Sequence, residues 1–223
     1  MTLQHVLLLL TGLVLGMRHA FDRDHIAAVT HFISLEPDPL KSAWFGVRWA
    51  IGHAVTVLVL GSVLLLLHLK FDPSFERYAE LAVGVTLIVL GIWRLALLVQ
   101  ERRHVHQHAH RGKAHSHAHS HEPGREHVHR FAPTLVGVVH GASGTAELFV
   151  LIPITLISTT PLAYLYIGLF SLGCALTMGF YGYVVGRFYR RANQTGQRIY
   201  RALVIATSLS GLMLGAIWIL KNL

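Results

Sequence analysis

Six stretches of this chain, at about 3–33, 43–69, 78–100, 133–157, 161–186 and 202–220, are apolar over lengths near or above the roughly 20 residues needed to cross a bilayer. A segment in lipid must satisfy its own backbone hydrogen bonds, so each stretch is expected to be a helix. The expected fold class is an all-α integral membrane protein with six transmembrane helices. The charged fraction agrees, at 13% against about 25% in soluble domains, and the mean hydropathy is +0.51. The first stretch is too long for one upright span. At 1.5 Å per residue it reaches about 45 Å against a core of about 30 Å. It must tilt, protrude or break, and Gly16 is the expected breaking point.

Basic residues give the orientation. One side of the six spans carries Lys41, then Arg102, Arg103, Arg111, Lys113, Arg125 and Arg130, then Arg187, Arg190, Arg191, Arg198 and Arg201; the other carries Lys70, Arg77 and Lys221. The richer side is expected in the cytoplasm. Both termini then face outward and the 101–130 loop faces the cytoplasm. This topology accounts for the net charge of +8, so nucleic acid is not an expected partner. The lipid bilayer is, and a homo-oligomer is compatible with the reading. The single cysteine, Cys174, excludes an internal disulfide. No basic n-region or small-residue cleavage site precedes the first charged residues, so the N-terminal stretch reads as a retained span.

Two halves of the chain resemble each other at an offset near 121 residues. G-M-R-H at 16–19 answers G-V-V-H at 137–140, GHAVT at 52–56 answers GCALT at 173–177, and LGIW at 90–93 answers LGAIW at 214–218. Residues 1–100 and 131–223 are thus expected to be two three-helix repeats. Three is odd, so the second copy enters the membrane from the opposite side. Such inverted repeats place a binding site near the midplane, where they meet.

Within the first apolar stretch stands RHAFDRDHI, Arg18 to Ile26. Ionisable groups at bilayer depth are costly and functional by default. On a regular helix His19, Asp22 and His25 share an arc of about 120° that also contains Arg18, whereas Asp24 points away unless the helix unwinds. Two imidazoles and a carboxylate on one face offer the N and O donors that suit Ni²⁺, Co²⁺ or Zn²⁺. Arg18 and Arg23 can neutralise Asp22 and Asp24 while no cation is bound. His53, with Thr56 a turn later, and His140, Ser143 and Glu147, on one face of a later helix, are further candidates. Cys174 stands where the repeat places His53; it is a soft ligand or, more simply, a small packing residue. His31 and His68 read as interfacial or as satisfied by backbone carbonyls, and Met178 as core.

Between the halves runs a tract with His104, His106, His108, His110, His115, His117, His119, His121, His127 and His129. It lacks apolar periodicity and is expected to be disordered when metal-free. Imidazoles at this density bind divalent transition metals. The tract is expected to concentrate, buffer or sense the ion on the cytoplasmic side.

With these residues in hand, the chain resembles the nickel/cobalt transporter family and the related urease-accessory nickel permeases. Their hallmark R-H-A-x-D-A-D-H is matched by Arg18–His25 except at Arg23, where the family usually has Ala. L-G-H-S-T-V-V is similar to Ile51–Val57, and L-G-F-D-T-A-T-E to His140–Glu147, with Ser143 where Asp is usual. The later Asp-rich signature is missing; Met178 and Tyr181 stand where its acids would be. Carried over by position, the resemblance points to His19, Asp22, Asp24, His25, His53, His140 and Glu147 as metal-site residues. It implies transport of nickel(II) and/or cobalt(II) across the cytoplasmic membrane of a prokaryote by a multi-pass permease, most often as uptake. The alternative is nickel/cobalt efflux with a cytoplasmic His-rich loop. No cofactor and no enzymatic activity are expected; neither G-x-x-x-x-G-K-[ST] nor H-E-x-x-H occurs in the chain. A metal sensor would explain the loop but not the buried charges.

Overall fold

The apolar stretches become helices in a computed structural model that describes residues 2–67, 73–101, 108–110, 113–115, 126–143, 157 and 159–223. The helices are α1 (Leu3–His19), α2 (Arg23–Ile33), α3 (Pro39–Leu67), α4 (Pro73–Glu101), α5 (Glu126–His140), α6 (Thr160–Thr195) and α7 (Gln197–Asn222). Prolines open α3 and α4 and stand at the start of α6, where a missing N–H costs nothing. In the His-rich tract, β1 (His108–His110) pairs antiparallel with β2 (Lys113–His115). This short ladder is the one exception to an all-helical chain among the described residues. The remaining loop histidines before residue 126 lie outside them, while His127 and His129 fall in the first turns of α5.

Four helices, α3, α4, α6 and α7, are long and apolar enough to cross a membrane, and α1 and α2, bent by 59°, are so only when taken together. Large apolar side chains such as Phe180, Met213 and Val14 are more than half exposed, as suits a lipid-facing surface. The expected span at 133–157 is helical as far as His140; residues 144–156 lie outside the described residues.

The first span breaks, but not at Gly16. Helix α1 continues to His19, and Asp22 takes an extended conformation, φ −61° and ψ 143°, before α2 starts. Gly16 serves a different purpose: a Cβ there would lie 1.9 Å from the Phe170 carbonyl oxygen. Lipid offers little hydrophobic driving force between helices, so close backbone packing at small residues takes its place. Gly137 approaches the Trp49 carbonyl oxygen, and Gly52 that of Thr134, just as closely (1.9 Å for an added Cβ), and Gly173 stands 2.2 Å from Leu13 O in the same sense.

These contacts are reciprocal. Adding 121 to Gly16 and Leu13 gives Gly137 and Thr134; adding it to Trp49 and Gly52 gives Phe170 and Gly173. Directions follow from the same pairs. Gly12 lies on Tyr166 and Gly16 on Phe170, so α1 and α6 run parallel; Gly137 lies on Trp49 and Gly141 on His53, so α3 and α5 do too. Helices α3 and α6 are antiparallel, with Gly46 on Met178 and Gly182 on Ser42, as are α4 and α7, with Gly84 on Gly215 and Gly91 on Ser208. Four helices, α1, α3, α5 and α6, form one packed body. Helices α4 and α7 pack chiefly on each other, and α2 lies between the pair and the body, touching α3, α4, α5, α6 and α7.

Candidate metal centre

The break after His19 assembles the site. With α1 stopped and α2 restarted at Arg23, His25 folds back on the end of α1, and its Nδ1 donates to the His19 carbonyl at 3.2 Å. That bond assigns the tautomer, because a carbonyl only accepts; Nε2 of His25 keeps its lone pair. His19 is paired at the same ring nitrogen, its Nδ1 lying 2.8 Å from Oδ2 of Asp22. Nε2 of His19 then meets Nε2 of His53, from the middle of α3, at 3.2 Å. His19, His25 and His53 are all buried, and each offers a ring nitrogen within 4.8 Å of the others. Holding a ring by one nitrogen so that the other faces a common point is how protein surroundings orient metal-binding histidines.

His140, at the end of α5, stands next to this trio, its ring 5.7 Å from that of His25. Its Nδ1 donates to Val136 O at 2.9 Å, which again leaves Nε2 as the acceptor. The turn after His140 repeats the turn after His19 bond for bond: Ala20, Phe21 and Asp22 donate to Gly16, Arg18 and His19, and Gly141, Ala142 and Ser143 donate to Gly137, Val139 and His140.

The walls are aromatic. Trp49 stacks on His53 with an interplanar angle of 29° and borders His25 at 4.6 Å. Phe170, the residue 121 positions later, lies 5.3 Å from His19. A low-polarity surround strengthens electrostatic interactions inside it. The end of α1 directs its last carbonyls, and so the negative end of its dipole, at the same place.

The acids divide. Asp24 is buried in the first turn of α2, 3.5 Å from Nε2 of His25, whereas Asp22 is one-third exposed. The unwinding brings Asp24 to the site that a continuous helix would have turned it from. Arg18 and Arg23 are exposed, and Asp22 and Asp24 lie beside His19 and His25. Thr56 donates to the carbonyls of Gly52 and Val138 and so fastens α3 to α5. Ser143 donates to His140 O. Cys174 is buried in an apolar cluster with Ala20, Trp49 and Met178, outside the trio of converging imidazoles. His31 donates to Ala27 O, as expected of a histidine satisfied by a carbonyl. Glu147 and His68 lie outside the described residues.

Sequence reasoning missed a second polar centre. Arg94 of α4 is 1% exposed, and donates through Nε to Ser34 Oγ at 2.8 Å and through Nη2 to Ser34 O at 2.9 Å. Tyr200 of α7 donates to the same carbonyl at 2.6 Å. The arginine inside LGIWRLALL was the available signal.

No protein-family model matches the chain, and no solved structure does. The chain is similar to the urease accessory protein UreH of Bacillus sp. (strain TB-90), with 28% identity over 171 residues that cover 77% of this chain and 72% of that protein.

Proposed function

We propose that this chain is a secondary permease for nickel(II) and/or cobalt(II). One observation carries the reading: three buried imidazoles on three helices converge halfway along the spans, His25 bonded through Nδ1 to a carbonyl and His19 paired through Nδ1 with Asp22. A hydrated divalent cation must lose water to enter, and His19, His25 and His53 replace it, with His140 and Asp24 beside them. Ligands must be deprotonated to bind, so Asp24 and Glu147 would exchange protons as the ion arrives and leaves. The likeness to a urease accessory protein and the RHAFDRDH motif agree with nickel or cobalt as cargo.

The architecture we propose is six spans in two inverted repeats, with the termini outside and the His-rich tract in the cytoplasm. The reciprocal glycine contacts, the matching turns after His19 and His140, and the opposed directions of α1 and α5 support it.

Cell-associated nickel and cobalt, measured by mass spectrometry in a host lacking its own transporters, test the reading. Uptake predicts metal above the empty host and loss of that excess in His25→Ala. Metal below the empty host, restored by the variant, would reverse the direction to efflux. Equal metal in all three strains, with the protein present in the membrane, would end the permease reading.

A further inference from the structure

Helix α2 carries His25 and Asp24 near its start, and its end is held elsewhere. Ser34, the residue that closes α2, accepts Nε of Arg94 on its hydroxyl and Nη2 of Arg94 on its carbonyl, while Tyr200 donates to that carbonyl as well. The Ser34 hydroxyl in turn donates to His31 O at 2.8 Å. A guanidinium at a helix C-terminus meets both orphan carbonyls and the negative end of the dipole. Arg94 belongs to α4 and Tyr200 to α7, so both donors come from the α4/α7 pair, which itself meets the four-helix body through α6 and α5, with Tyr189 bonded to Thr207. Nearby, His31 of α2 packs against Gly211 of α7; a Cβ on that glycine would lie 2.4 Å from Cε1 of the ring. Toward the body, Thr30 bonds Tyr181, His25 donates to the His19 carbonyl, and Asp22, at the start of α2, pairs with His19.

The halves themselves are interlocked. Helices α1 and α6, and α3 and α5, interlock across the halves at glycines with no room for a methyl group, so one repeat cannot rock against the other without breaking its tightest contacts. We infer that Arg94 is a positioning residue: with Ser34 and Tyr200 it couples α2 to the α4/α7 pair. Displacement of that pair against the four-helix body draws His25 and Asp24 away from His19 and His53 and so opens the ion site. This inference rests on the permease reading. Arg94 touches no ion; it makes α2 follow α4 and α7.

Arg94→Lys keeps the charge but loses the two-pronged fork, which an ammonium cannot reproduce. In purified protein, Co²⁺ affinity should stay within about twofold of wild type, because His19, His25 and His53 are untouched. In proteoliposomes the initial rate of Co²⁺ movement should fall at least about tenfold, the scale of a lost charged hydrogen bond. Tyr200→Phe should show a smaller loss of rate with the same affinity. Combining Arg94→Lys with His31→Cys and Gly211→Cys tests the coupling directly, since replacing the ring makes room for the new side chain. Oxidation to a disulfide should restore transport, and reduction should abolish it again. Wild-type rates in Arg94→Lys, or affinity and rate falling together, or no rescue by the cross-link, would each overturn the coupling role. A wild-type protein that moved no ion would overturn the permease reading first.

Discussion

The elbow after His19 and the elbow after His140 have the same backbone and different chemistry. Both end a helix with the same three turn hydrogen bonds, both follow a glycine pressed onto a carbonyl oxygen 1.9 Å from its notional Cβ, and both present a buried histidine. In the first, an aspartate holds the ring; at the same step of the second, a serine turns back to the His140 carbonyl. Where the first half supplies His53 from the neighbouring helix, the second supplies Cys174, sunk among apolar residues. Backbone shape thus follows the glycines and is shared, whereas ligand chemistry is concentrated on one side. A centre built this way is lopsided: three imidazoles from the first half and one from the second.

Paired substitutions at positions 121 apart sharpen this contrast. The largest difference should separate His53→Ala from Cys174→Ala. The first removes a converging nitrogen and should weaken Co²⁺ binding by more than the ~10–100-fold typical of losing an outer partner; the second should change affinity less than about twofold. Titration calorimetry on purified protein reads both, and equal losses would mean that Cys174 is a ligand after all. Next come Asp22→Asn and Ser143→Ala. Losing the carboxylate that orients His19 should cost about 10–100-fold in affinity, while Ser143→Ala should cost no more than threefold, roughly the low end of a neutral hydrogen bond. Comparable effects would show that the two elbows contribute alike. The smallest difference is expected for Gly16→Ala and Gly137→Ala. Each forces a methyl group into a carbonyl oxygen, and each should destabilise by about 1–3 kcal/mol or somewhat more. Thermal unfolding in detergent should shift by similar amounts; a large shift in one alone would break the equivalence of the two packings.

Helix positions were legible in the sequence because lipid imposes a length and an apolar content on every span. The expected stretch at 161–186 lies inside Thr160–Thr195, and 202–220 inside Gln197–Asn222. The location of the break was not. Gly16 looks like a weak point to anyone counting residues, yet its value is the absence of a side chain facing Phe170, a partner 154 residues away. The trio of His19, His25 and His53 was within reach because charge in an apolar run demands explanation. Its arrangement was not, since the arc drawn for a continuous helix excludes Asp24, and only the interruption at Asp22 brings that carboxylate within 3.5 Å of His25. Trp49 and Phe170 were invisible for another reason: an aromatic residue in a membrane helix has many ordinary places to be. Arg94 was visible and passed over, because the count of basic residues that fixed the orientation concerned loops.

The parallel pairing of α1 with α6 and of α3 with α5 bears on how such a chain comes into being. Synthesis delivers His19, His25 and His53 to the bilayer long before Phe170 or His140 exist. Until α5 and α6 arrive, the glycine faces of α1 and α3 have nothing to close upon, and the charged elbow stands open. The candidate metal centre is therefore among the last parts to be completed. A chain truncated after α4 would carry most of the candidate ligands in an unsealed state.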